Sequence, residues 1–578
     1  MTARMAILSS WPAGLQPPEG FSSCRVAGAT MVFSDAAPFF DARRCKIVGW
    51  AFRRDGFDPC RDLSPSEVDA IIESSGKWAL RHLWGNFVLV WGDAGDRIHI
   101  LRSPITGPAV FHVAAAASRT TSCAFTDLAL ARSLGFALDR PCASAIDARL
   151  RFPYLRGERT EIEDVCELLP GQVMRLGAGP SGLPAWSPWD FTLRPPKRAR
   201  ADELGSLVRS IVAAWSGRFD RVQLELSGGI DSSIVAACLG GEDRQWRAVT
   251  IATADPDGDE RIYARAVCDR FGAELEEILL PRTSPDPLAP IPNPRVRPGG
   301  FGLLDANDVT LLATAREYRA AAIFSGTGGD GSFGYHTSIA PALDALRFAG
   351  PRAGVAAARD LAAITGDTIW HALRLLVRGL VANPRQWPVD PSLLSQHFAD
   401  ARPNHPWTGG AREVAAGQRS YAMKLLLIQT FLDGYDRALV IPKIAPLLSQ
   451  PLVEYGLGIQ SWQWGEGGQN RALAREAFRD DLPEIILARR SKGRILSLFL
   501  PAFEANRERL RSFLLGGWLA DAGIIDNEAI DDLLTGRTKA GAIAMIRILQ
   551  LTDMERWVRT VTDKGVPDAP GEARPAPG

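Results

Sequence analysis

The hydrophobic positions of this chain change their period once. Up to about residue 190, apolar residues come in short alternating or continuous runs, at 46–52, 86–91, 97–101 and 172–176, separated by Gly, Pro and Asp. Runs bounded in this way predict strands. Beyond residue 200, apolar runs at 221–226, 246–252 and 275–280 alternate with segments of helical period, of which 259–271 is the clearest. Strand and helix in alternation predict a doubly wound parallel sheet, whose ligands sit at the carboxyl ends of the strands. From about 341 to 560 the pattern is largely helical.

The change of period falls at residues 193–203, where two prolines and the basic residues Arg194, Lys197, Arg198 and Arg200 interrupt both patterns. This predicts an exposed, solvated connector that ends one domain before a helix begins. The expected division is therefore 1–195 and 200–560, followed by a disordered tail over 564–578, where Pro, Gly and Ala dominate. A chain of 578 residues is long enough for two large units, each with its own core. No internal repeat is seen.

Charge and cysteine content narrow the classes. Lys plus Arg and Asp plus Glu both number 66, so no global field draws the chain to nucleic acid or an anionic membrane. The eight cysteines (24, 45, 60, 123, 142, 166, 238 and 268) contain no C-x-x-C pair, which argues against zinc and against a disulfide framework. No stretch has the apolar core of a signal peptide or eighteen uninterrupted apolar residues. A soluble protein of the reducing cytoplasm is expected, without membrane insertion.

Two loops carry candidate chemistry. The apolar run ending at Leu226 leads into Ser227-Gly228-Gly229-Ile230-Asp231-Ser232-Ser233 and then a helix-like segment. Two glycines let consecutive N–H groups face one point, and the following helix aims its positive end there, which makes an anion cradle. No Lys follows the glycines, so the loop is not of the kinase and GTPase type. It fits instead the pyrophosphate loop of enzymes that cleave ATP between its α and β phosphates, with Asp231 suited to Mg²⁺. A plain strand-to-helix turn capped by Ser232 is the alternative. The second loop, Ser325-Gly326-Thr327-Gly328-Gly329-Asp330, again follows an apolar strand and ends in an acid. Asp231 and Asp330 at one sheet edge could hold Mg²⁺ between them.

Together these loops, about a hundred residues apart, resemble the synthetase domain of the asparagine synthetase family. The similarity extends to residues 83–91, 102–107 and 169–171, which look like that family's Ntn-type glutaminase sandwich, and to 445–454 and 473–492 in its helical half. The resemblance implies an α/β chain: a glutaminase-like β-sandwich, then an ATP-pyrophosphatase domain with a helical extension. It makes Ser227, Gly228, Gly229, Asp231 and Ser232 the pyrophosphate loop. Leu226, Ile251, Ser325 and Gly326 would line adenine and ribose, mostly through backbone groups. Lys492 would approach the α-phosphate and stabilise charge on the tetrahedral intermediate. The implied cofactors are ATP and Mg²⁺.

Departures from the family carry further expectations. Glutamine-using members begin, after Met removal, with a cysteine that releases ammonia; here Thr2 stands there, followed by Ala3-Arg4-Met5, and the nearest Cys is Cys24. The first domain is then a retained scaffold with no glutaminase activity. Members without that cysteine include β-lactam synthetases, carbapenam synthetases and lasso peptide cyclases. Residues 445–454, the Ser-Gly-Thr-Gly-Gly-Asp form of the second loop, and Thr327 in place of the family's glutamate favour a lasso cyclase. Such an enzyme would join an Asp or Glu side chain of a precursor peptide to the peptide's N-terminal amine, alongside a leader-binding protein and a cysteine protease. The alternative is a β-lactam synthetase or related amide ligase acting on a small amino acid derivative. A tRNA-modifying enzyme is disfavoured by the neutral charge, and an inactive binding scaffold by intact Asp231, Asp330 and Lys492. Tyr335, Tyr435 and Asp436 are polar residues in the right regions for a general base, and none is assigned that role.

Overall fold

The computed structural model describes residues 4–12, 15–114, 121–179, 182–192, 194–241, 244–253, 259–280, 286–300, 302–381, 387–398, 402–409, 414–432, 440–490, 496–538 and 541–562. The N-terminal runs form two six-stranded sheets in which every pairing is antiparallel. Met5–Leu8 and Ala29–Ser34 lie inside the first sheet, and Cys45–Arg53 and Leu83–Gly92 inside the second. Ile7 and Met31 of the first share one buried cluster with Val48, Val88, Val90 and Ile100 of the second, so the sheets face each other as a sandwich.

The second sheet is covered on its other face too. Leu89 and Trp91, alternating with Val88 and Val90, belong to a larger cluster that includes Trp215 and Leu224 from beyond residue 200. Burial on both faces explains why 86–91 reads as continuously apolar rather than alternating. Aromatic packing seals this contact, with the Phe52 and Trp215 rings 4.8 Å apart and Trp84 and Trp215 6.0 Å apart.

The C-terminal sheet is parallel, in the spatial order Glu274–Leu280, Gln245–Thr253, Arg221–Glu225, Ala322–Ser325 and Lys443–Ile444. The first four strands match the apolar runs. The last has two residues, too few to leave a periodic signal. Helices such as Ala201–Ser216, Ile230–Gly240 and Arg261–Phe271 follow or precede the strands, and Ala416–Leu432 and Ala542–Val561 belong to the helical region beyond them.

The connector is less free than its composition predicts. Lys197 donates its N–H to the Gly458 carbonyl at 3.0 Å, and Gln463 brackets Ala199 with contacts of 2.9 and 2.7 Å to its N–H and carbonyl. Pro196 and Ala199 are buried while Arg194, Lys197, Arg198 and Arg200 point to solvent, so the basic run is solvated along a pinned backbone. The tail expected at 564–578 lies outside the described residues. Among the described residues, no helix is long and apolar enough to cross a membrane.

Candidate active site

Two adjacent strands bring the glycine loops together. Arg221–Glu225 and Ala322–Ser325 pair in parallel with Glu225 opposite Ser325, so both chains leave the sheet at the same edge. Leu226 continues alongside the neighbouring strand Gln245–Thr253, donating its N–H to the Val249 carbonyl at 2.9 Å; half-buried Ile251 lies two residues further along that strand. The edge that lines a nucleotide in the sequence reading is thereby formed from Leu226, Ile251, Ser325 and Gly326.

The first loop is tied by its own hydroxyls. Ser227 donates its N–H to Ser232 Oγ at 3.3 Å, Gly229 donates its N–H to Ser227 Oγ at 3.4 Å, and Ser233 Oγ donates to the Gly229 carbonyl at 2.8 Å. Gly229 is the N-cap of Ile230–Gly240, an eleven-residue helix whose first turn contains Asp231. Its opening N–H groups lack intrahelical partners, the arrangement that an anion cradle requires. Ser232 therefore ties the loop from within the helix rather than capping it.

Gly228 has φ +64°, and a Cβ there would lie 2.6 Å from Tyr263 Cβ. The second loop presses still closer. A Cβ on Gly326 would lie 2.5 Å from the Ser232 backbone nitrogen, a contact that backbone cannot relieve by rotating a side chain. Only glycine lets the two loops touch.

A cation sits where the two acids converge. Arg471 Nε lies 2.8 Å from Asp231 Oδ1, its Nη2 donates to Asp231 Oδ2 at 3.0 Å, and the same Nη2 pairs with Asp330 Oδ1. Burial opposes the Arg471 charge, but Asp231 and Asp330 outweigh it and raise its pKa. Its guanidinium also lies 4.8 Å over the Tyr335 ring. Beneath the second loop, Lys424 Nζ donates to the Tyr335 carbonyl and lies 3.5 Å from His336 Nδ1. Burial brings Lys424 down to about 8, with Asp330 opposing and Arg471 adding to the shift.

The helical half braces the first loop from outside. Arg489 Nη1 donates to the Gly228 carbonyl at 2.9 Å, Nη2 pairs with Glu260, and the guanidinium stacks 3.8 Å over Tyr263. Arg475 holds the segment that carries Arg489, donating to the carbonyls of Ile486, Leu487 and Arg489 at 3.1, 2.7 and 3.0 Å.

A sequence model described as asparagine synthase matches residues 204–559, more than half of the chain and the part that contains all of this machinery. The chain belongs to the asparagine synthase family. No curated protein matches it. Membership makes the protein an ATP-dependent, AMP-forming ligase in general terms.

The donor set fits the Mg²⁺ that asparagine synthase family enzymes generally use with ATP. Asp231 and Asp330 approach closely enough for one guanidinium to bridge them, and Asp330 keeps 48% of its side chain exposed towards the open edge. Among the described residues no group of three or more His, Cys, Asp or Glu gathers there. Mg²⁺ is commonly held by one or two carboxylates together with substrate phosphates and water, and two acids at a phosphate cradle supply that share.

Of the other expected residues, Ser325 Oγ donates to Thr327 Oγ1 at 2.8 Å, which fixes the threonine side chain against its own loop. Lys492, Tyr435 and Asp436 lie outside the described residues. Arg471, Arg489, Glu260 and Lys424 are the site residues that sequence reasoning did not find. The glycines at 465, 467 and 468 are the one local signal near Arg471, since they mark a sharp turn of the chain there.

Proposed function

We propose that the protein is a macrolactam synthetase of the lasso peptide cyclase type. It adenylates an Asp or Glu side-chain carboxylate of a precursor peptide and couples it to the peptide's own N-terminal amine. The observation that carries this reading is Thr327. A hydroxyl tied to Ser325 occupies the position of the family's glutamate, so the second loop lacks the acid that suits a free aspartate substrate. The thiols support it. Burial raises the pKa values of Cys24, Cys45, Cys60, Cys166 and Cys268, the reverse of what a nucleophilic thiolate needs. Thiols unsuited to releasing ammonia from glutamine agree with an amine drawn from the substrate itself.

The chemistry proceeds in two displacements. A carboxylate oxygen of the peptide attacks the α-phosphorus of ATP, and the bond to the β-phosphate oxygen breaks as pyrophosphate leaves with the electron pair. The N–H groups opening Ile230–Gly240 hold the departing anion, and Asp231 and Asp330 would hold Mg²⁺, which neutralises its charge. The peptide amine then attacks the acyl carbon, the bond to AMP breaks, and the nitrogen loses one proton. Lys492 would stabilise the tetrahedral intermediate. An N-terminal amine has an ordinary pKa of about 8, so a fraction is neutral near pH 7 and positioning carries much of the rate. A leader-binding protein and a cysteine protease would deliver the peptide.

The test is to incubate the protein with Mg²⁺, ATP and linear precursor peptides bearing a free N-terminus and an internal Asp or Glu. Dehydrated, protease-resistant product with one pyrophosphate released per ring supports the assignment. ATP–pyrophosphate exchange driven by small amino acid derivatives and not by peptides would overturn it in favour of a β-lactam synthetase.

A further inference from the structure

Arg471 occupies the oxygens that the proposed site assigns to a metal. Its fork of N–H groups faces Asp231, with Nη2 donating to Oδ2 at 3.0 Å and Nε 2.8 Å from Oδ1 as an ion contact, and the same Nη2 pairs with Asp330. Its side chain is 9% exposed, so the guanidinium is sheltered from water while it pairs. The backbone is adapted to this reach. Arg471 adopts φ +54° and ψ +33° as the N-cap of Ala472–Ala477, a left-handed conformation that non-glycine residues seldom take.

Two cations cannot share these atoms. The guanidinium lies 2.8 Å from Asp231 Oδ1 and 3.0 Å from Oδ2, and a divalent ion entering beside it would meet like-charge repulsion. The metal must therefore displace the arginine. The displaced group has sheltered contacts nearby, with the Tyr335 ring at 4.8 Å and Asn470 Oδ1 accepting from Nη1 at 3.0 Å.

We propose that Arg471 is the resident counter-cation of the metal site, a positioning residue exchanged for Mg²⁺ when nucleotide arrives. Before ATP binds, it holds Asp231 and Asp330 converged and offsets their mutual repulsion. Because a metal must first take the place of Arg471, the carboxylates bind one poorly by themselves. They bind it well when the phosphates add their own charge. The metal therefore enters with the nucleotide and not ahead of it. This inference rests on the ATP-site reading above, and on Asp231 and Asp330 as the metal's protein ligands.

Binding of Mn²⁺ to the full-length protein, followed by electron paramagnetic resonance of the free ion, tests it without any turnover. In the absence of nucleotide, Arg471→Gln should bind Mn²⁺ at least about tenfold more tightly than wild type, because the ion then no longer competes with the guanidinium for the two carboxylates. Arg471→Lys keeps the charge but loses the fork, and should fall between the two, about threefold tighter than wild type. If Arg471→Gln fails to fold, the Lys variant decides. Affinities no tighter than wild type in the variants that fold would overturn the proposal. A parallel titration with ATP, corrected for the Mn²⁺ that ATP takes up in the absence of protein, separates this from the underlying reading. Wild type that binds Mn²⁺ only with ATP, with unchanged variants, rejects the counter-cation alone, whereas wild type that binds no Mn²⁺ even with ATP rejects the nucleotide site as well.

Discussion

Arg489 donates to the carbonyl of Gly228 at 2.9 Å, joining the helical half of the chain to the turn of the first glycine loop. Gly228 is the residue with positive φ, so this contact holds the one peptide whose orientation directs the following N–H groups. Arg489→Met keeps the stem that packs on Tyr263 and removes the bond. A charge-assisted hydrogen bond contributes about 1.5 to 3 kcal/mol, so KM for ATP should rise about tenfold or more, with a smaller change in kcat. Steady-state pyrophosphate release against ATP concentration measures it, and an unchanged KM would show that the loop stands without this brace.

Asp231 serves both the resting ion pair and the proposed metal. Asp231→Asn removes a full charge while preserving the side-chain shape at the start of Ile230–Gly240. Transition-state charge stabilisation by a metal is worth several kcal/mol, so ATP–pyrophosphate exchange and ring formation should fall by about a thousandfold. Circular dichroism should show an intact fold. Cyclisation at the wild-type rate would remove the first loop from the chemistry.

Gly326→Ala tests the contact between the loops. Its Cβ would fall 2.5 Å from the Ser232 nitrogen and 2.8 Å from the Asp231 carbonyl carbon, both backbone atoms of the cradle. Relief requires the loops to separate, at a cost of about 1 to 3 kcal/mol by analogy with overpacked cores. The expected outcome is a modest loss of thermal stability together with nucleotide affinity weakened at least tenfold (about 1.4 kcal/mol). Weak stability with normal affinity would mean that the strain is absorbed away from the site.

The parts of the site that were legible in sequence are those in which the chain folds back on itself locally. Strand, glycines, acid and helix lie within a dozen residues in both loops, and the apolar runs place both at one sheet edge, which the Glu225–Ser325 register confirms. The bracing charges were not legible. Arg471 reaches Asp231 across 240 residues and Arg489 reaches Gly228 across 261, and no periodic pattern encodes such a pairing. The connector is exposed along its basic side chains, as its composition predicts, but the bonds that pin Lys197 and Ala199 come from the distant Gly458 and Gln463 and leave no local signal.

The contact region between the sandwich and the helical half should make the protein sensitive to mild acid. His405 is buried there, its Nδ1 accepting from the Trp407 N–H at 3.1 Å, and burial brings its pKa down to about 3, with Glu167 opposing and Arg297 adding. Glu167 is buried among Arg102, Arg156 and Arg297; burial opposes its charge, but the three guanidinium groups outweigh it and bring its pKa down to about 2. Both shifts are downward, so both groups contribute stability that is complete above their unfolded values and is lost as pH falls towards the folded ones. For His405 the loss begins near 6.5, where the unfolded chain takes up a proton that the folded chain does not; for Glu167 it begins only near 4.5. Between pH 6 and 5, His405 alone should cost about 1 kcal/mol of stability. His405→Asn retains an acceptor for Trp407 but does not titrate, so its apparent unfolding free energy in urea should change less over that interval by the same amount. Below pH 4.5 it should decline as the unfolded chain protonates Glu167, still less steeply than wild type until the folded protein protonates His405 near pH 3. An equally steep decline for both proteins between pH 6 and 5 would place the acid sensitivity in some other group.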